Sequence, residues 1–233
     1  MNIVNEWHTI SCMDVFKDLP RETVVEILSG AKPRSFPKNS TVFLQEDPAD
    51  WFYLVLDGWV KTFRTTFDGD EAVLNILGQG DVIACSEIFG GDVHSVNCVT
   101  VLDAQLLPLS IKKIRSITAD NSDVAMGFLS YLSRQVQKSE DDIEKLKTKS
   151  ALEAVAELLL THCNEVSGPS FFLLPYSKTL IAQKLGLRPE SLSRIFSKLK
   201  KYGVSMRHDN VVVKEVQMLR SLGDQDYAEA RTA

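Results

Sequence analysis

A chain of 233 residues, 44% hydrophobic and 24% charged, with a net charge of −5, reads as a soluble protein able to form one large domain or two smaller ones. Its cysteines, Cys12, Cys85, Cys98 and Cys163, stand far apart, which excludes the CxxC spacing of a zinc site or redox dithiol and predicts reduced thiols in a cytoplasmic setting. The opening MNIVNEWHTI lacks the basic-then-apolar pattern of a signal peptide, and no apolar run reaches bilayer length, so no membrane partner is expected.

Residues 1–32 read as helical. Val15, Phe16 and Leu19 precede Pro20; Val24, Val25, Ile27 and Leu28 follow on a short amphipathic helix that Gly30 ends. Trp7 and His8 read as packing and surface residues, not as a ligand pair. From Arg34 to Leu109 the pattern changes to short alternating runs, at Thr41–Gln45, Trp51–Leu56, Val60–Thr65, Glu71–Leu77, Val96–Val101 and Ala104–Leu109. Turn residues separate them, among them Asp47-Pro48, Asp57-Gly58, Asp68-Gly69 and Gly78-Gln79-Gly80. Gaps this short leave no room for crossover helices, so the runs predict an all-antiparallel roll or barrel.

After Pro108 helical spacing returns. Ile111, Ile114 and Ile117 predict a short helix, and a long one follows from about Ser122 to Thr148. Along it Leu129, Leu132, Val136, Ser139, Ile143 and Leu146 alternate by three and four residues, the pattern of a coiled-coil seam. Ser139, its polar member, weakens the seam and is placed to fix its register. The same spacing also fits an amphipathic helix packed on its own roll. Another helix is predicted over Lys149–Glu165, with Leu152, Val155, Ala156, Leu159 and Leu160 inward, then a loop at Ser167-Gly168-Pro169-Ser170 and a strand at Phe171–Leu174. His162 and Cys163 have no metal-ligand partners at the right spacing.

Tyr176 to Val213 reads as a winged helix-turn-helix. Ser177 suits a helix N-cap, and Leu180, Ile181 and Leu185 follow at helical spacing. Gly186 breaks that helix, and Pro189 suits the first turn of the next. In the second helix Leu192, Ile195, Phe196 and Leu199 share one face; Glu190, Ser193, Arg194 and Ser197 share the other. A glutamate accepts from cytosine N4 and an arginine forks onto guanine O6 and N7, so Glu190, Ser193 and Arg194 are the expected base readers. Ser177, Lys178, Arg188, Ser191, Ser197 and Lys198 are expected at phosphates, with Lys184, Lys200 and Lys201 adding positive charge. Val204–Met206 and Val211–Val213, joined through His208-Asp209-Asn210, predict the wing. A solvated helix with an internal Glu190–Arg194 salt bridge is the plainer alternative.

The run YLVLDGWVKTF, the turn FDGDEAVL and the segment ILGQGDVI, with Gly58, Gly69, Gly80 and Asp81, resemble the cyclic-nucleotide-binding β-roll of the Crp/Fnr family of bacterial regulators. The helix-turn-helix resembles the same family's DNA-binding domain, and the likeness runs from about Phe16 to Leu222. The resemblance implies an α+β fold. An N-terminal cyclic-nucleotide-binding-type β-roll would span residues 1–120 as the sensor. A dimerisation helix at 121–148 would pair two subunits in parallel. A C-terminal winged helix-turn-helix would follow at 149–223, then a flexible tail at 224–233. The partners it implies are double-stranded DNA, a second copy of the chain and RNA polymerase. Glu190-x-x-Ser193-Arg194 is similar to the Fnr-like branch, whose half-site is TTGAT. The nucleotide-activated branch has arginine before the glutamate, where this chain has Pro189.

Cyclic-nucleotide binders of that family hold ribose with a Gly-Glu pair and phosphate with arginine followed by serine or threonine. Here Ala84 and Cys85 stand at the first pair and His94 and Ser95 at the second, with Glu87 two positions off. No lysine or arginine lies between Arg64 and Lys112, so the pocket half of the roll is expected to lack a permanent cation. A buried phosphate would then go unpaired, and neutral histidine does not replace a guanidinium. cAMP is therefore not the expected effector, and the cofactor is unassigned. A cyclic-nucleotide- or haem-responsive sensor of the same fold is the alternative, with His94, Cys85 and Cys98 as candidate haem ligands. An iron–sulfur cluster is not expected, since Cys12 stands alone near the N-terminus. A sensor module that binds protein in place of DNA is a third reading, opposed by the basic residues around Glu190 and Arg194. No Ser/His/Asp, paired-carboxylate or phosphate-cradling pattern appears, so no enzyme activity is expected.

Overall fold

The computed structural model describes residues 10–222; Trp7, His8 and the tail at 224–233 lie outside the described residues. The chain divides into two compact units that meet between Lys138 and Ser139. No described helix is long and apolar enough to cross a membrane.

Among the described residues the first unit carries eight strands: β1 (Arg34–Phe36), β2 (Thr41–Phe43), β3 (Trp51–Asp57), β4 (Val60–Thr65), β5 (Glu71–Leu77), β6 (Val82–Ile83), β7 (Asn97–Thr100) and β8 (Ala104–Ser110). They form two four-stranded sheets, ordered β1-β8-β3-β6 and β2-β7-β4-β5, with every pairing antiparallel. The expected roll is present. β1 and β6 are additions to the strands read from alternation: they are too short to show a period and are held by pairing to β8 and β3. β3 explains its own continuous apolar run. Tyr53 and Val55 point into the core between the sheets with Phe43, Val60, Cys98 and Leu106, while Phe52, Leu54 and Leu56 face a second core under the helices. A strand buried on both faces has no polar alternation to display.

Gly58 closes the β3–β4 turn at φ +83°, and a Cβ there would sit 2.1 Å from the Asp103 carbonyl oxygen. Both the left-handed backbone and the close approach require glycine.

The described part of the segment expected as helical over 1–32 resolves into shorter pieces, a 3-10 turn at Asp14–Phe16 and α1 (Arg21–Leu28), because Pro20 divides them. α2 (Glu87–Gly90), α3 (Ile111–Asp120) and α4 (Ser122–Thr148) follow. Ser110 caps α3 by accepting from the Lys113 N–H. The Asn121 side chain accepts from the N–H groups of Asp123 and Val124 at the start of α4. α4 buries Val124, Gly127, Phe128 and Tyr131 against the first unit. The approach at Gly127 is close enough that a Cβ would lie 2.5 Å from Leu19 Cδ2. Arg134 fastens the same helix by ion pairs to Asp14 and Asp18.

The second unit contains α5 (Ala151–Leu160), β9 (Ser170–Leu173), α6 (Lys178–Lys184), α7 (Pro189–Leu199), β10 (Val204–Arg207), β11 (Asn210–Val213) and α8 (Val216–Arg220). The sheet order is β10-β11-β9, so the expected wing hairpin gains the predicted upstream strand as its third member. α5 is shorter than the expected Lys149–Glu165. Its start is set by a capping box in which the Ser150 hydroxyl accepts from the Glu153 N–H and the Glu153 carboxylate accepts from the Ser150 N–H. Near its end the Thr161 hydroxyl donates to the Leu158 carbonyl, a local bond that competes with helix propagation. Ser150→Ala is expected to cost about 1 kcal/mol, read as a lower urea midpoint for the second unit at unchanged slope. An unchanged midpoint would mean the cap contributes nothing.

Candidate nucleic-acid interface and sensor pocket

The helix pair is shaped by its ends. Ser177 accepts from the Leu180 N–H and starts α6, so part of its hydroxyl's capacity is committed to the cap. At the other end Gly186, at φ +62°, donates to the Gln183 carbonyl, and Leu187 donates to the Ala182 carbonyl at 2.8 Å. This pair of bonds is the Schellman arrangement, which satisfies helix-end carbonyls and turns the chain sharply. Pro189 then opens α7.

Leu192, Ile195, Phe196 and Leu199 are buried on the inner side of α7, as the spacing predicts. Glu190, Ser191, Ser193, Arg194, Ser197 and Lys198 are all exposed on the outside, as are Ser177, Lys178 and Arg188. Among the described residues no ion pair joins Glu190 to Arg194, so the internal salt bridge of the plainer alternative is not formed. Ser193 and Ser197 donate their hydroxyls to the carbonyls four residues back, Pro189 and Ser193, both at 3.0 Å, which leaves their oxygens free to accept. The Lys178 ammonium lies 5.3 Å from the centre of the Phe196 ring, within cation–π range. His162, half-buried, meets the Tyr176 hydroxyl at 2.9 Å and stacks on Phe172. Burial pushes its imidazole down and the Tyr176 phenol up to about 12. That is packing chemistry.

The sensor-pocket candidates gather around α2. Glu87 is 4% exposed. One of its oxygens accepts from the Ser86 hydroxyl at 2.7 Å; the other accepts from the Ser95 N–H and hydroxyl at 3.1 and 2.9 Å. Burial opposes the charge, but those hydrogen bonds together hold the carboxyl below its usual range. Glu87, two positions off the expected pair in sequence, is the most heavily hydrogen-bonded of the pocket candidates. Ala84 holds φ +61°, the left-handed backbone that glycine would adopt without strain at that position. His94 is 2% exposed and stacks on Phe43 with ring centres 3.7 Å apart. Its Nδ1 is buried without a hydrogen-bond partner. Desolvation pushes its imidazole down, partly offset by the carboxylates of Glu87, Asp47 and Asp50.

The expectation that this half of the roll lacks a permanent cation is corrected. Arg64, on β4, donates to the Ser95 carbonyl at 3.2 Å. Arg115, on α3, donates to the carbonyls of Glu87, Ile88 and Gly91 and to the Asp92 carboxylate. A count along the chain misses both, because sheet pairing and the α3 packing deliver them from outside the counted stretch. The Arg115 guanidinium is spent on the protein's own oxygens, while Arg64 is exposed and bonds the Ser95 carbonyl through its Nε. Of the named haem-ligand candidates, Cys98 is fully buried between the sheets, and the Cys85 thiol lies against Tyr131. No group of three His, Cys, Asp or Glu side chains able to hold a metal occurs among the described residues.

Comparison with known proteins places both halves. Residues 33–121 match the model of the cyclic nucleotide-binding domain, and residues 153–222 match that of the Crp-like helix-turn-helix domain. The solved structure of a Ruegeria pomeroyi protein, described provisionally as a cyclic nucleotide binding protein, is 30% identical at a TM-score of 0.72, covering 98% of this chain and 99% of that one. The cyclic AMP receptor protein of Thermus thermophilus is 27% identical over 209 residues, 89% of this chain and 95% of that protein. FixK2 from Bradyrhizobium japonicum, 23% identical at a TM-score of 0.71 over 82% of this chain and 96% of its own, shares the fold. With a β-roll sensor fold, an exposed recognition helix, both domain models matched and a relative 30% identical over nearly its whole length, the chain belongs to the Crp/Fnr-type family of DNA-binding transcription regulators.

Proposed function

We propose that the protein acts as a homodimer on a near-palindromic operator with TTGAT-type half-sites, and that its β-roll does not take up cAMP. In this reading the first unit is the sensor, α4 pairs the subunits, and the second unit reads DNA. The observation that carries the DNA reading is the outer face of α7. Glu190 and Arg194 are exposed there without an ion pair between them among the described residues, above a fully buried apolar face. A carboxylate and a guanidinium four residues apart suit the two strands of one C·G pair, with Ser193 accepting at the neighbouring base. Two such helices related by a two-fold axis meet half-sites one DNA turn apart.

The cyclic AMP named for the Thermus relative is not carried over. A buried phosphate needs a free guanidinium or equivalent donors. Arg115 bonds three backbone carbonyls, Arg64 is exposed and not buried in the roll, His94 is buried where desolvation pushes its imidazole down, and the Ser95 donors already serve Glu87.

The paired test is a gel shift and a titration. The purified protein is expected to retard a TTGAT palindrome and to release it when the G·C pair of each half-site is exchanged for A·T. Isothermal titration with cAMP is expected to give no binding heat. Low-micromolar cAMP affinity would overturn the second claim. Equal retardation of both DNAs would overturn the first.

A further inference from the structure

A buried carboxylate and a guanidinium meet at α2, a helix of four residues and so too short to stand by itself. On one side its first residue, Glu87, takes hydrogen bonds from Ser86 next to it and from Ser95 at the entrance to β7. On the other side Arg115 closes over three carbonyls of α2 and its exit, from Glu87, Ile88 and Gly91. The Glu87 carboxylate is thus an anion seated on an amide and two hydroxyls. A small soluble anion would seek those same donors, and they are filled from within the chain. α2 also reaches α4. Phe89 meets Phe128 edge-on with ring centres 6.1 Å apart. Ile88, with the partly buried Ala84 and Cys85, shares one core with Val124, Phe128 and Tyr131.

We propose that Glu87 is an internal latch: bound to Ser86 and Ser95, its carboxylate takes the place of a dissociable anion and fixes α2, and through Phe89 and Ile88 the first half of α4, so that operator binding needs no anionic effector. The proposal rests on the reading above that the roll leaves cAMP unbound, and it is tested with no nucleotide present, so the two fail separately. A latch of this kind gives a regulator that is competent by default, with its set point in the bonds of one carboxylate.

In Glu87→Gln one acceptor oxygen survives, but the new amide hydrogens face the hydroxyl or N–H donors of Ser86 or Ser95. The variant is expected to melt roughly 5 °C below the wild type, to exchange amide hydrogens faster over residues 84–95, and to bind the operator about tenfold more weakly. Glu87→Ala leaves the donors vacant. Acetate, the missing carboxylate as a free ion, is expected to restore melting temperature and operator affinity to this variant, while chloride at matched ionic strength does not. Should Glu87→Ala fail to fold, Ser95→Ala removes one donor from the opposite side and is expected to show a smaller loss of the same kind. Glu87→Gln and Ser95→Ala both melting and binding DNA as the wild type does would overturn the latch, and so would acetate acting no better than chloride.

Discussion

Val136→Glu combined with Ile143→Glu is expected to leave a monomer that holds the operator about 10²- to 10⁴-fold more weakly than the wild type. Both residues lie on α4, 58% and 50% exposed, in line with Leu129 at 57% and Leu146 at 65%. Met126, 58% exposed and three residues before Leu129, extends the stripe in a direction the heptad reading leaves out. Apolar side chains this open, at three- and four-residue spacing, suit a second copy of the same helix. Across a two-fold axis each new glutamate would sit near its own copy, and two carboxylates in a desolvated seam repel strongly. Neither substitution touches the core of the first unit, and glutamate is a good helix former, so the circular dichroism spectrum should be unchanged while sedimentation reports the monomer. DNA affinity falls because the second half-site is no longer reached by an attached partner. Mixing the glutamate variant with one carrying lysine at both positions is expected to restore pairing and operator binding together. If the glutamate variant stays dimeric and binds normally, the stripe is not the interface. Leu132 is the weaker probe: it is half-buried and packs on the first unit's own core, so its loss would mix two effects.

The parts of this fold that were legible in the sequence are those written in short-range patterns. The extent of α4 followed from its apolar spacing and its stop at Thr148. The turn at Gly186 followed from one residue able to hold φ +62°, and the paired faces of α7 from a three- and four-residue period. The place of β3 was legible as one of the short runs, but its burial on both faces was not. What stayed hidden depends on contacts between residues far apart in the chain. Arg115 reaches Glu87 across 28 positions and Arg64 reaches Ser95 across 31; no spacing rule connects them. Glu87 stands two positions from the family's Gly-Glu pair, whereas its hydrogen bonds come from where α2 places it opposite Ser95. Ala84 shows the same limit from the other side, since its left-handed backbone is the conformation a glycine would adopt without strain. β1 and β6 were invisible because two or three residues carry no period. The start of α5 was readable in hindsight from Ser150 and Glu153, a capping-box pair that the helical spacing of the leucines overran.

Arg194→Ala should cost about 1–3 kcal/mol of operator affinity, and the loss should be confined to one base pair of each half-site. Arg194 is exposed on α7, one turn beyond Glu190 and clear of the buried face, so truncation removes a contact without disturbing the helix. A guanidinium that forks onto guanine O6 and N7 loses two charge-assisted bonds at once, and nothing else at that base replaces them. On an operator whose G·C pair is already exchanged for A·T, the wild type has no such bonds to lose, and the two proteins should bind alike. The salt dependence separates this role from that of its neighbours. Lys198, exposed on the same helix, is expected at a phosphate, so Lys198→Ala should weaken every sequence to a similar degree and lower the slope of log affinity against log salt by about 1. Arg194→Ala should leave that slope nearly intact while flattening the preference at one position. Uniform weakening across all sequences, with a shallower salt slope, would reduce Arg194 to a backbone contact and would leave the reading of the half-site to Glu190 and Ser193.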